Sequence, residues 1–351
     1  MSVLRVFLKS RWGKLQRLWR WEFWPVWLAY LPLVPYLVWL AIRQRSATVF
    51  MLANPGIPGG GLTGESKSAI LRHLDHGDGV VPAFAVVPAG DACPPASVQF
   101  PVVLKPDRGE RGRGVRILRN THELQAALEQ TRDVDRILQQ YAGGLEFGLF
   151  YIRHPHQPRG CVVSIVEKTF PSVTGDGLAS IGELVLRDSR AVCLYDTYRR
   201  ECARDFDTVP AEGESVPLVE IGSHCRGAVF VDRRSLVTPQ LEAAVDRIAR
   251  RHPGFHLGRF DVRAESELHL QQGRFRVLEL NGVAAEPGHI YDPSVSLPDA
   301  YRALARQWAA AFAIGAWYRA WPQVPASGST SRRTRTSSPG AESTSKPAVA
   351  I

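Results

Sequence analysis

The sequence predicts a mixed α/β fold behind an apolar leader, and three observations carry the prediction. Between residues 100 and 320, short β-branched and aromatic runs alternate with stretches of helical period. A strand-like run, a glycine-rich loop and a helix-like stretch follow one another from Thr48 to Leu74. Hydrophobic residues make up 45% of the 351 and charged residues 22%, so a sizeable core can be buried. The chain divides into a basic, apolar, membrane-associated segment (1–45), a shortened α/β unit (46–99), a main domain (100–322) and a tail (323–351).

In the first twenty residues Lys9, Arg11, Lys14, Arg17 and Arg20 are spaced among Val6, Phe7, Leu8, Trp12, Leu15, Leu18 and Trp19. At helical spacing this separates a basic from an apolar face, the pattern of an interfacial helix. Phe23 to Ile42 is a run of twenty uncharged residues, long enough to cross a bilayer, with Trp24, Trp27, Tyr30, Tyr36 and Trp39 as interfacial anchors. Pro25, Pro32 and Pro35 interrupt it, so a single span and a kinked re-entrant segment both fit. Arg43 and Arg45 follow instead of a small-residue cleavage site, which argues against a cleaved signal peptide.

Thr48–Ala53 reads as a buried strand, 54–61 as a turn-rich loop and Glu65–Leu74 as a helix. The loop running from Gly59 to Lys67 resembles a phosphate loop, but Glu65 and Ser66 separate the last glycine from the lysine, where that motif needs them adjacent. Lys67 is therefore expected to matter little for nucleotide binding, and a P-loop nucleotidase is disfavoured. Strands are expected at Val102–Lys105, Arg113–Leu118, Phe147–Ile152, Cys161–Glu167, Leu257–Val262 and Phe275–Leu280. Helices are expected at His122–Glu129, Pro239–Arg251 and about Pro298–Trp321. The tail from 325 is rich in Ser, Thr, Pro and Ala and reads as disordered.

Charge is concentrated at the ends. Residues 1–45 hold eight Lys/Arg and one acid and 325–351 four and one, leaving 31 basic and 32 acidic residues between. A nucleic-acid binder carries its positive patch on the folded body, so nucleic acid is not the expected partner; basic residues beside an apolar run suit a membrane surface or bilayer. Five scattered cysteines without a C-x-x-C pair suggest neither a disulfide framework nor a zinc site, and a reducing cytoplasm suits them.

Four clusters carry chemistry. In the first, strand 101–105 ends in Lys105, and a glycine- and arginine-rich turn with Gly112 and Gly114 follows. Such a hairpin can cover a triphosphate with amides and guanidinium groups. In the second, Gln139, Gln140, Tyr141 and Ala142 offer extended backbone to an adenine edge, and Glu146 offers a carboxylate to ribose hydroxyls. In the third, Lys168 ends a strand before Thr174-Gly-Asp-Gly177 and a helix start at Ser180; it can meet a γ-phosphate. The fourth is the most specific. Glu279 and Asn281, two apart on a strand, share a face, with Asp261 able to lie opposite. Three oxygen donors in an apolar setting suit a hard cation, and without one Asp261 and Glu279 are expected to repel. Arg259 can neutralise charge on a transferred phosphoryl group. Arg199 and Arg200 either hold a substrate carboxylate or lie on an exposed helix face.

In this order the clusters resemble the ATP-grasp superfamily of carboxylate–amine ligases over roughly residues 100–295. Thr174–Gly177 with Ser180-Ile181 is similar to the cyanophycin synthetase, glutathione synthetase and RimK-like branch, and the fourth cluster also resembles D-alanine–D-alanine ligases. Two features depart from that pattern: an acidic residue usual at Gln139 is replaced, and Pro287-Gly288 follows Asn281 later than usual, which suggests a remodelled acceptor pocket. The resemblance implies two lobes clasping ATP, with 46–99 a shortened form of the α/β unit that precedes them. It implies Mg2+, with Mn2+ as a substitute, on Asp261, Glu279 and Asn281. Lys105, Gly112, Gly114, Gln139, Gln140, Tyr141, Ala142, Glu146 and Lys168 would bind nucleotide, and Arg259 and Lys168 would serve catalysis. The expected reaction joins a small-molecule carboxylate, amino-acid or peptide-like, to an amine through an acyl phosphate, at the cytoplasmic face of the inner or plasma membrane. A homodimer is compatible with this. The competing expectation is an inactive, membrane-tethered nucleotide-binding regulator.

Overall fold

The computed structural model describes residues 20–93, 98–109, 112–222 and 227–321. The expected interfacial helix within 1–20 (all but its last residue) and the expected disordered tail lie outside them. The apolar run forms two short helices, α1 (Val26–Tyr30) and α2 (Val34–Arg43), joined by a 3-10 turn at Leu31–Leu33. Each proline stands at or just before the start of one of these pieces, where its missing N–H costs no helical bond, so the segment bends without breaking. Leu33 and Leu40 are buried against the body, while Trp27, Leu31, Val34, Val38 and Ile42 form an outward stripe; Trp27 and Ile42 are 71% and 72% exposed. Tyr301 Oη donates to Ala29 O at 2.8 Å and Arg319 Nη1 to Gln44 O at 2.7 Å, fixing both ends of the segment to the body.

Thr48–Ala53 is not a strand. Val49–Ala53 is a 3-10 helix, because the polar side chain that follows it supplies the sheet contact instead. Asn54 Nδ2 donates to Gly60 O and Leu257 O, and its Oδ1 accepts from the amides of His256 and Leu257. The apolar run is left free to pack on a helix, and periodicity over so short a stretch does not separate the two states. Helix α3 (Lys67–Leu74) follows, N-capped by Ser66, and then β1 (Phe84–Val87).

The first sheet has the order β1-β4-β2-β3, with β2 at Val102–Pro106, β3 at Arg116–Leu118 and β4 at Arg136–Gln140; every pairing is antiparallel. Residues 46–99 therefore form no sheet of their own, since β1 completes this one. Helix α4 (Thr121–Gln130), capped by Asn120, covers the sheet with Leu124, Ala127 and Leu128. The second sheet runs β11-β10-β5-β6-β9, again antiparallel, with β5 at Leu145–Ile152, β6 at Cys161–Thr169, β9 at Val229–Asp232, β10 at Leu257–Ala264 and β11 at Arg276–Asn281. Between β6 and β9 the ribbon β7 (Ser172–Thr174) and β8 (Ser215–Pro217) packs with α5 (Ile181–Val185) and α6 (Tyr195–Glu201).

Helix α7 (Pro239–Ala249) buries Leu241, Ala244, Val245 and Ile248 in the largest core, the face its sequence spacing predicts. The connection between β10 and β11 carries α8 (Glu267–Gln271). Helix α9 (Leu297–Ala320) contributes Leu304, Trp308, Ala311, Phe312 and Ile314 to a second core shared with Leu33, Leu40 and Val49. Its apolar stretch thus packs both on the body and beside the apolar leader.

Candidate active site

A cleft of about 570 Å³ opens between the two sheets. The first sheet supplies Val103, Lys105, Ile117, Gln139 and Gln140; the second supplies Lys168, Arg259, Asp261, Arg263, Glu279 and Asn281. All the expected site residues line it except Gly114, which lies at the turn beside the lining residues Gly112 and Arg113. Gly112 and Gly114 have φ of 71° and 72°, a left-handed backbone that glycine adopts without strain, and a Cβ on Gly114 would fall 2.8 Å from Pro106 Cγ.

On β10, Arg259, Asp261 and Arg263 occupy alternate positions and so share a face. The register sets Asp261 opposite Glu279 and Arg259 opposite Asn281, with a bulge after Asp261. Asn281 Nδ2 lies 3.5 Å from Asp261 Oδ2, and the register brings Glu279 to the same end of the strand pair. The expected repulsion between the two acids is answered by the protein's own cations. Lys168 Nζ is 3.2 Å and Arg259 Nε 2.9 Å from Asp261 Oδ1, and Lys67 Nζ is 3.4 Å from Glu279 Oε1. Burial favours the neutral form of Asp261, but Arg259 and Lys168 outweigh it and hold the carboxyl below its usual range. An all-oxygen set facing a polar cleft fits a magnesium ion, which takes its remaining ligands from water and phosphate.

Lys105 is buried and donates to Gln139 Oε1 and Leu278 O, both at 2.9 Å. Loss of hydration lowers its pKa to about 8, against the pull of Glu279, Asp261 and Asp107. Lys168 is as deeply buried, yet Asp261 and Glu146 overcome the burial and keep its pKa above the ordinary value. Lys105 thus holds its proton less tightly than Lys168, and an arriving phosphate would raise its pKa again.

Gln139 Nε2 is a buried donor with no partner in the protein and lies in the cleft, the arrangement a nucleotide base would complete. The neighbouring backbone is less free than the sequence implies: the Gln140 amide donates to Ala83 O, the Tyr141 amide to Pro101 O, and Ala142 O accepts from Arg263. Glu146, read as a ribose ligand, is held at 3.1 Å by Lys168 and at 2.8 Å by Arg263 Nη2.

Two cleft residues escaped the sequence reading. Arg263 ties Glu146, Tyr141 and Ala142 together, and its position two beyond Asp261 was the signal that could have found it. Lys67 donates to Gly109 O at 2.5 Å beneath the glycine- and arginine-rich turn and pairs with Glu279. Of the two readings of Arg199 and Arg200, the structure favours the exposed helix face, since both are exposed and away from the cleft. Thr174–Gly177 also lies outside it: Asp176 accepts from the amides of Leu178 and Ala179, and Ser180 forms a capping box with Glu183, so the segment turns the chain into α5.

No protein-family model matches the chain. Among curated proteins it is similar to the cyanophycin synthetase of Geminocystis herdmanii, 26% identical over 174 residues, which cover 43% of this chain and 19% of that protein. The cyanophycin synthetase of Synechocystis sp. is 25% identical over 221 residues, covering 57% and 24%. That of Trichormus variabilis is 34% identical over 89 residues, covering 24% and 9%. The chain spans about a quarter or less of the length of these relatives. Among solved structures, D-alanine–D-alanine ligase from Bacillus anthracis matches with a TM-score of 0.40 and 13% identity over 73% of this chain and 68% of that one. A bifunctional glutathione synthetase from Pasteurella multocida gives 0.37 and 15%, over 69% and 35%.

Proposed function

We propose that this chain, an ATP-grasp relative of the cyanophycin synthetases, is an ATP- and Mg2+-dependent ligase that joins an amino-acid or peptide-like carboxylate to an amine. The observation that carries the reading is the meeting of Lys67, Lys105, Lys168 and Arg259 with Asp261, Glu279 and Asn281 in one cleft between two sheets. Bound magnesium would draw charge from the β- and γ-phosphates. Asp261, Glu279 and Asn281 would hold it; Lys105 and Lys168 would cancel phosphate charge from opposite sheets, and Arg259 would face the oxygens that gain charge during transfer. The substrate carboxylate takes the γ-phosphoryl group and ADP is released. The amine nitrogen then bonds to the carbonyl carbon as the C–O bond to phosphate breaks, and the amine proton passes to solvent. Positioning and charge neutralisation supply most of the acceleration.

The test is ADP release by the purified chain with Mg2+, ATP and pools of amino acids, hydroxy acids and peptides. Release that needs both a carboxylate and an amine, and that Asp261→Asn lowers at least ~100-fold, is expected. Release indifferent to the amine would overturn the ligase reading.

The finer reading places the enzyme at the cytoplasmic face of the inner or plasma membrane. Val26–Arg43 is apolar and long enough to cross a bilayer. Its inner face is docked on the body, and Trp27, Leu31, Val34, Val38 and Ile42 point away, between Arg20 and the exposed pair Arg43 and Arg45. This favours lying along the lipid surface over spanning it. Vesicles of mixed anionic and zwitterionic lipid should sediment the chain, and Trp27→Glu with Ile42→Glu should weaken binding ~10-fold or more, at about 1 kcal/mol or more per anchor. Equal sedimentation of wild type and variant would contradict it.

A further inference from the structure

Beyond the triphosphate end, the cleft continues to a chamber that the magnesium and phosphate roles leave unused. Its walls are Val26 and Tyr30 of α1, Leu62, Tyr291, Trp308 of α9, and Ala284 and Ala285 of the loop after β11, with Glu286 among them. Tyr30 Oη donates to Glu286 Oε1 at 2.5 Å, and Tyr291 Oη donates to Glu286 Oε2. Each phenol occupies one lone pair of one oxygen, and a carboxylate oxygen has two. The carboxylate is therefore fixed in place with acceptor capacity still facing the chamber. Tyr30 and Trp308 meet edge to face at 6.5 Å and Trp21 stacks on Tyr291 at 5.7 Å, so aromatic rings line the chamber beside the carboxylate. A fixed carboxylate among aromatic faces is what a substituted ammonium group seeks, by ion pairing and by attraction to the rings. Arg259, on the phosphoryl side, is near enough to feel the charge of Glu286, so the chamber lies next to the reacting centre. Five residues separate Asn281 from Pro287, and the last of them is Glu286, so the same loop that follows the Asp261 and Glu279 strands delivers this carboxylate.

We propose that Glu286, braced by Tyr30 and Tyr291 and walled by Trp308, is the binding site for the amine substrate, which arrives as an alkylammonium with an apolar body and gives up one proton to solvent before its nitrogen attacks. The assignment rests on the ligase reading for its purpose, though not for its chemistry. The apolar leader thereby becomes part of the site, since Tyr30 comes from it.

Calorimetric titration of the full chain with n-hexylammonium, n-hexanol and n-hexanoate tests this, with and without Mg2+ and a non-hydrolysable ATP analogue. The exposed apolar stripe takes up charged and neutral hexyl chains alike, so the preference between them is the readout. Wild type should bind hexylammonium at least tenfold more tightly than hexanol or hexanoate. Glu286→Gln should erase the preference while binding the ATP analogue as wild type does, and Glu286→Asp, which keeps the charge, should retain part of it. Equal affinity for hexylammonium and hexanol in wild type, or a preference that survives Glu286→Gln, would overturn the proposal. A chain that binds no nucleotide yet keeps the Glu286-dependent preference would sink the ligase reading and leave the cation site standing.

Discussion

Lys67 is the residue whose meaning changes most between sequence and fold. As the lysine of a mis-spaced phosphate loop it was expected to matter little. In the structure it starts α3, reaches Gly109 O at the root of the glycine- and arginine-rich turn, and faces Glu279. A charge-assisted contact of this kind is worth about 1.5–3 kcal/mol. Lys67→Ala should accordingly weaken ATP binding about tenfold, measured by equilibrium dialysis, and an unchanged affinity would return Lys67 to a bystander role. Lys105→Ala should cost more, because it also strands Gln139 Oε1 and Leu278 O in a buried setting. Glu279 and Asn281 were legible as a pair because spacing by two on one strand fixes a shared face, whereas Asp261 meets them only through the register of the neighbouring strand. Lys67 was not, because its partners lie 42 and 212 positions away and only the folded chain brings them together.

At the level of elements, strands and helices with strong periodicity were readable to within a few residues, as α7 and α9 show. Val49–Ala53 was not, since its geometry is decided by Asn54 and by a helix some 260 residues later. That contact is close. A Cβ on Gly315 of α9 would stand 1.9 Å from Val49 O, which no side chain can accommodate without moving the backbone. Gly315→Ala, normally helpful in a helix, should therefore destabilise by about 1–3 kcal/mol, read as a lower urea midpoint at unchanged slope. A raised midpoint would mean the turn and helix are loosely coupled.

For the whole molecule, acid is the expected weakness. His252, His256 and His289 are buried, and loss of hydration lowers each pKa from 6.5 to about 4. His256 also meets Tyr318 Oη at 2.5 Å and Arg153 O at 3.0 Å. Between pH 6.5 and 4 the unfolded chain binds protons that the folded chain refuses. The stability these groups preserve is present above pH 6.5 and is lost as pH falls toward 4, by about 1–3 kcal/mol each. Thermal midpoints measured from pH 7 to pH 5.5, where ordinary Glu and Asp remain largely ionised, should fall, and a flat profile would refute the assignment. The double duty of the leader has a practical corollary. Tyr30 looks inward at Glu286 while Trp27, three residues before it, looks outward. Trimming the greasy first forty-five residues to ease purification would take away Tyr30's bond to Glu286 and uncover the apolar side of α9 that Leu33 and Leu40 pack against.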